Sequence, residues 1–207
     1  MSDDIRARIV AEALPLIEAH GFSDAAIAKA AEKACVGKRE TMDAFPKGAV
    51  SLVEAFSQWA DAEMMARMEN SPAKRMTERV TAAVRARIEA LALHKGAARR
   101  AAAFLAQPQH AALGATLMAK SVDHMWRAAG DKASDFSYYT KRAMLGGVYG
   151  ATLLYWLSDS SEGSAATWAF LEHRIDDVMR IGKLGAQARE AFAKLPWPKS
   201  MRFPRGG

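Results

Sequence analysis

The chain has 207 residues, with Lys+Arg 29 against Asp+Glu 23 and one cysteine, a size that fits one domain or two small helical ones. A lone Cys35 excludes an intramolecular disulfide framework and Cys₄ or Cys₂His₂ zinc sites; no run approaches the ~18 apolar residues of a spanning helix, and the opening MSDDIRARIV has no basic stretch followed by an apolar one, so a cytoplasmic protein is expected. A net charge of +6 suits nucleic acid and anionic membrane surfaces alike.

Alanine is abundant, β-branched runs are scarce and no Asn-Gly or Asp-Gly pair sits between alternating hydrophobics, so the fold is read as all-α. The first helix spans about 3–20, with Ile5, Ile9, Ala13, Leu16 and Ile17 on one side and Gly21 as its stop. Pro15 predicts a kink inside it, because an interior proline removes a backbone bond and crowds the preceding turn. Ser23 caps a second helix to about residue 34, a third runs 38–45 ahead of Pro46, and a fourth, 48–70, turns Leu52, Val53, Phe56, Trp59 and Met64 inward. Cys35 reads as a small packing residue. Ser71-Pro72 is the clearest punctuation. It divides a helix-turn-helix-like bundle, 1–70, from a larger bundle, 71–182. Beyond it, helices are expected at 75–93, 96–106, 109–129, 135–158, 164–181 and 184–195, and 183–207 reads as a separate amphipathic helix and basic tail.

No catalytic motif emerges. Neither GxxxxGK[ST] nor GxGxxG occurs; Gly146-Gly147-Val148-Tyr149-Gly150 falls inside a helical pattern, where small residues either let two helices approach or leave room for a ligand. Histidines 20, 94, 110, 124 and 173 form no pair at helical spacing, so metal-ligand spacing is absent. There is no GxSxG elbow, Asp159-Ser160-Ser161 reads as capping, and Asp176-Asp177 as a solvated helix edge. The expectation is a protein that is not an enzyme and needs no cofactor or metal.

Two resemblances follow from longer stretches. Residues 5–56, with a first helix ending in His-Gly-Phe and then AIAKAAEKACVGKRETMDAFP, resemble the DNA-binding module of TetR-type repressors. Glu40 and Asp43 on the would-be reading helix oppose a duplex carrying one negative charge per ~1.7 Å, although Lys33, Lys38, Arg39 and Lys47 soften this. DNA is therefore not the expected partner, and a ligand-responsive repressor is the alternative reading. Residues 123–181, DHMWRAAGDKASDFSYYTKRAMLGGVYGATLLYWLSDSSEG followed by TWAFLEHRIDDVMRI, resemble the coenzyme Q biosynthesis accessory family, whose bacterial members are called RpsU-divergently transcribed proteins; AFPKGAV at 44–50 also suits it. That resemblance implies a TetR-like fold and a lipid-binding homodimer. It implies too that the protein presents aromatic isoprenoid intermediates of ubiquinone to a hydroxylase at the inner membrane's cytoplasmic face.

Three regions carry these implications. Phe104, Leu113, Leu117, Met118, Val122, Met125, Trp126, Met144, Val148 and Leu153 recur at helical spacing and are assigned to the lipid pocket, core packing being the plainer reading of any one of them. Tyr138, Tyr139, Lys141 and Arg142 are assigned to the hydroxylase partner; family members commonly carry Trp-Tyr where this chain has Tyr138-Tyr139. Leu184, Phe192, Leu195, Trp197 and Phe203, interleaved with basic residues, are assigned to an anionic membrane surface, with docking on the bundle as the alternative.

Overall fold

The computed structural model describes residues 2–131 and 137–194, with side chains for 4–131 and 140–180. Among the described residues the elements are helical, without strands: α1 (Ser2–His20), α2 (Asp24–Lys33), α3 (Lys38–Ala44), α4 (Ala49–Glu69), α5 (Met76–Ala90), α6 (Lys95–Leu105), α7 (Ala111–Ala128), α8 (Ser137–Ser158) and α9 (Ala165–Lys194). Short 3₁₀ turns at Ala92–His94, Pro108–His110 and Glu162–Ser164 join them.

α1 keeps Ile9, Ala13 and Ile17 fully buried at the expected spacing. It runs through Pro15 without ending. Pro15 and Ala11 both lie on the exposed side, so the carbonyl that loses its partner is on the solvent face. Gly21, at φ +67°, closes α1 with its N–H on the Ile17 carbonyl at 2.8 Å. Ser23 caps α2 as expected, its Oγ accepting the Ala26 N–H at 3.2 Å. Cys35 differs from expectation. It is exposed and left-handed (φ +53°), closing the turn between α2 and α3 instead of packing.

Gly48 stands at the start of α4 with φ +53°, and a Cβ there would fall 2.3 Å from Asp24 Oδ1. The carboxylate of α2 therefore lies over the positive end of α4. Glu18 lies in the same way over Gly96, in the first turn of α6, where a Cβ would sit 2.3 Å from its Cδ. Phe22 meets Phe56 edge-on at 5.6 Å and Phe104 at 6.0 Å. One apolar core accordingly runs from α1 through α4 and α6 into the larger bundle, across residue 71.

In that bundle α4, α5 and α7 pack together, α8 covers α7, and α9 lies along α8 and α5. The α8 end is held from α6: Lys95 Nζ donates to the Asp159 carbonyl at 2.6 Å, and Arg99 Nη2 to the Leu157 carbonyl at 2.6 Å. The Asp159 carboxylate accepts the hydroxyl and N–H of Thr167 and the Ser161 N–H, tying the start of α9 to the end of α8. The expected break near residue 182 does not occur. α9 continues to Lys194, because an interior glycine weakens a helix by about 1 kcal/mol without blocking it and no proline intervenes before Pro196.

Two outcomes follow for stability. Gly48→Ala, which meets both a strained φ and the Asp24 carboxylate, lowers the unfolding free energy in urea by about 2 kcal/mol or more. Gly21→Ala, left-handed but with open space around the new Cβ, loses only about 1 kcal/mol; equal losses would show that the Asp24 contact is immaterial. Hydrogen bonds from Thr167 and Ser161 hold the Asp159 carboxyl well below its ordinary value. The stabilisation is therefore complete above the ordinary pKa of 3.8 and is lost as pH falls toward the lower folded value. Urea midpoints of wild type drop in that window, and those of Asp159→Asn, lower at neutral pH, drop less.

Candidate ligand-binding site

A charged pair is buried where α4, α5, α7 and α8 meet. Arg87 Nε donates to Asp61 Oδ1 at 2.6 Å, Nη1 to the Tyr149 hydroxyl at 2.6 Å, and Nη2 to the Ser57 and Ser121 hydroxyls at 3.0 Å each. Ser121 Oγ passes its own proton to Asp61 Oδ2 at 3.1 Å, and His124 Nδ1 stands 3.3 Å from the same oxygen. Arg87 is 5% exposed, Asp61 4% and Tyr149 3%. Burial opposes the Arg87 charge, but Tyr149 and Asp61 more than offset it and keep the guanidinium above its ordinary value. Burial likewise raises the Tyr149 phenol, against the pull of Arg87. At neutral pH the guanidinium keeps its charge and the phenol its proton.

An apolar slot of about 100 Å³ runs to this network, lined by Phe56, Leu91, Leu105, Leu117, Met118 and Leu153 as well as Arg87 and Tyr149. A second, wider groove of about 460 Å³ lies between α5, α7, α8 and α9, lined by Val80, Trp126, Met144, Leu145, Val148 and Ile175. The residues assigned from sequence to one pocket are thus divided. Leu117, Met118 and Leu153 line the slot, while Trp126, Met144 and Val148 line the groove. Phe104, Leu113, Val122 and Met125 line neither; Val122 and Met125 are buried core, and Phe104 and Leu113 pack partly buried against it. Gly146 and Gly150 face Val122 and Met118 on α7 at ordinary contact distances, 3.8 and 3.5 Å from a built Cβ, so this face does not demand glycine.

At the start of α8, Arg142 binds Asp123 through Nη2 at 2.8 Å and approaches Asp131 at 3.9 Å. Lys141 Nζ is 3.6 Å from Asp131 and 5.7 Å from the Trp126 ring centre. Both assigned cations are therefore ordered against α7 and its end. The side chains of Tyr138, Tyr139, Leu184 and Phe192 lie outside the described residues, as do Leu195, Trp197 and Phe203 altogether. In the N-terminal unit, Glu40 turns back to accept the Gly37 N–H at 3.2 Å, capping α3, while Asp43 and Met42 remain exposed.

Asp61, Arg87 and Tyr149 were not among the residues singled out from sequence. The available signal was a charge inside an apolar stripe on two neighbouring helices: Asp61 between Ala60 and Met64, and Arg87 between Val84 and Ile88. No described helix is long and apolar enough to cross a membrane, and the described residues hold no cluster of metal-ligating side chains.

A family model described as COQ9 matches residues 111–182, the α7–α9 part of the bundle. The chain is 30% identical over 202 residues to human "Ubiquinone biosynthesis protein COQ9, mitochondrial", covering 93% of this chain and 63% of that protein. To the Drosophila melanogaster protein of the same name it is 32% identical over 192 residues, covering 89% and 58%. It is 42% identical over 83 residues to "Ubiquinone biosynthesis protein COQ9-B, mitochondrial" of Xenopus laevis, which is 40% of this chain and 28% of that protein. The chain thus spans less than two thirds of the length of these curated relatives. Its fold is like that of a solved TetR transcriptional regulator from Nitrosomonas europaea ATCC 19718, with a TM-score of 0.65 over 84% of this chain and 97% of that one; at 20% identity the likeness is one of fold alone.

Removing one member of the buried pair strands the other. Arg87→Met lowers the unfolding free energy by ~3–5 kcal/mol, and adding Asp61→Leu restores part of it, since replacing a whole buried ion pair by apolar groups is close to neutral. Urea unfolding of the two single mutants and the double mutant checks this; additive losses would contradict it.

Proposed function

We propose, from the match of residues 111–182 to the COQ9 family model and the similarity to the COQ9 proteins, that the chain serves ubiquinone biosynthesis as a non-catalytic lipid-binding protein. It takes up aromatic isoprenoid intermediates and presents them to a hydroxylase. The observation that carries this reading is the groove between α5, α7, α8 and α9, whose lining is apolar apart from Thr77 and Lys141. Each buried CH₂ favours binding by ~0.8 kcal/mol, so a five-carbon isoprene unit contributes on the order of 3–4 kcal/mol. Lost freedom on binding costs ~4–15 kcal/mol, which requires several units to be covered. Met144 and, at the rim, Met76 and Met179 suit a tail that varies in shape.

The hydroxylase meets the start of α8, where Tyr138 and Tyr139 precede the ordered Lys141 and Arg142 in the sequence. Cations already fixed by Asp123 and Asp131 lose little side-chain freedom on docking. A second copy covers the outer faces of α8 and α9, where Leu154 is 65% exposed and Tyr155, stacked on Phe170 at 4.7 Å, is 40% exposed. The segment carrying Leu184, Phe192, Leu195, Trp197 and Phe203 holds the protein at the anionic cytoplasmic surface of the inner membrane. The N-terminal unit keeps the helix-turn-helix shape without reading DNA, since Asp43 remains on the exposed side of α3.

The test is organic extraction of the purified protein followed by mass spectrometry, with an unrelated basic helical protein from the same host as control. Wild type is enriched in ubiquinone or its polyprenyl-phenol precursors. Met144→Lys, which places a charge in the groove at a half-buried position, loses that enrichment by about tenfold or more while its thermal midpoint is kept. Absence of isoprenoids from wild type, with salt-sensitive binding to one specific duplex, would replace this reading by the repressor.

A further inference from the structure

The inner slot ends in donors that the protein does not use. The Tyr149 hydroxyl accepts a hydrogen bond from Arg87 and has no acceptor for its own proton among the described residues. Arg87 Nη1 carries two N–H groups, one directed to Tyr149 and the other without an acceptor among the described residues. Both side chains are more than nine-tenths buried and both line the slot. An unused donor in an apolar enclosure is unfavourable by roughly 1–3 kcal/mol, more beside a charge. An acceptor that enters the slot relieves it.

The remaining lining selects the rest of that visitor. Leu91, Ala98, Ala101 and Leu117 are buried and apolar, while Ala102, Leu105, Gly114, Met118 and Leu153 are partly exposed. The donors thus lie at the inner end and the partly exposed residues at the outer end. The slot's volume of about 100 Å³ is below the ~150 Å³ of an apolar cavity known to admit benzene, so it takes the oxygen-bearing edge of one ring while the rest of the ring stays at the open side. Charge decides the nature of the oxygen. Arg87 is already matched by Asp61 at 2.6 Å, so an entering carboxylate would be buried without a counter-charge, whereas a neutral oxygen would not.

We propose that the slot between α4, α5, α6, α7 and α8 is a recognition site for a neutral oxygen acceptor on a single ring, held by the Tyr149 hydroxyl and the free Nη1–H of Arg87. The slot shares no lining residue with the outer groove of the lipid-binding reading, and the inference goes beyond that reading. The ring enters oxygen first, and an apolar tail attached to it leaves past Leu105 and Met118. Tyr149 and Arg87 are then specificity-determining residues that distinguish an oxygenated ring from a bare hydrocarbon of the same shape.

The experiment measures binding of three probes to the full chain by isothermal calorimetry: 4-octylphenol, octylbenzene and 4-octylbenzoate. Wild type binds the phenol about tenfold more tightly than the hydrocarbon and binds the benzoate most weakly. In Tyr149→Phe the preference for phenol over hydrocarbon falls to within about twofold while the hydrocarbon still binds. Ala102→Leu, which narrows the slot from its partly exposed side, weakens the phenol and leaves the isoprenoid content of the outer groove unchanged. If wild type binds phenol and hydrocarbon equally, or prefers the benzoate, the slot does not recognise a neutral oxygen and this inference fails, with the lipid-binding reading intact. If no probe binds and no isoprenoid co-purifies, both fall together. The wild-type comparison alone decides the matter should Tyr149→Phe not fold.

Discussion

Asp61 and Arg87 hold two opposite charges out of water at the centre of the larger bundle, and four helices are arranged to make that tolerable. α4 supplies Asp61 and Ser57, α5 supplies Arg87, α7 supplies Ser121, and α8 supplies Tyr149. Each provides a hydrogen bond that an apolar side chain could not, so the helices are held in one register where uniform aliphatic packing would permit several. The same requirement explains why a slot exists here. A guanidinium with five N–H groups needs polar neighbours on several sides, and the polar side chains around it leave a corner that the aliphatic residues do not fill.

The N-terminal unit is joined to this centre through α6. Phe104 touches Phe22, Glu18 lies over Gly96, and at the other side Lys95 and Arg99 bind the last carbonyls of α8. α6 therefore touches the helix-turn-helix-like unit, the slot wall and the α8–α9 turn at once. In a repressor of this fold such a connection would relay ligand binding to DNA. In this chain the same helix ties the three parts together through side-chain contacts, and α3 exposes Lys38 and Arg39 beside Glu40 and Asp43.

Much of the architecture was legible in local patterns. The spacing of Ile9, Ala13 and Ile17, the Ser23 cap and the glycine stop at residue 21 marked the first two helices, because these signals act within a few residues of where they stand. The larger resemblance across residues 123–181 lies within the α7–α9 part matched by the COQ9 family model. What stayed hidden depended on distance or on competition between weak effects. The Arg87–Tyr149 bond joins residues 62 positions apart, and nothing near either residue indicates the other. Periodicity assigned ten residues to one apolar pocket but could not show that three of them line the slot, three line the groove and four line neither. The continuity of α9 through Gly182 reflects a small propensity penalty overridden by the surrounding helix, where two helices, 164–181 and 184–195, were expected.

That continuity makes α9 a ruler. Thirty residues of unbroken helix measure roughly 45 Å, and from Arg180 to Lys194 the axis advances about 21 Å. The last turns thus stand at a distance from Ile175 and Val178, which line the groove, that is set by a count of residues and not by a hinge. Adding or deleting one residue after position 180 would shift whatever those turns carry by about 1.5 Å and swing it through about 100°. The reach and the azimuth of the helix at Lys194 are therefore set together, by the same count of residues.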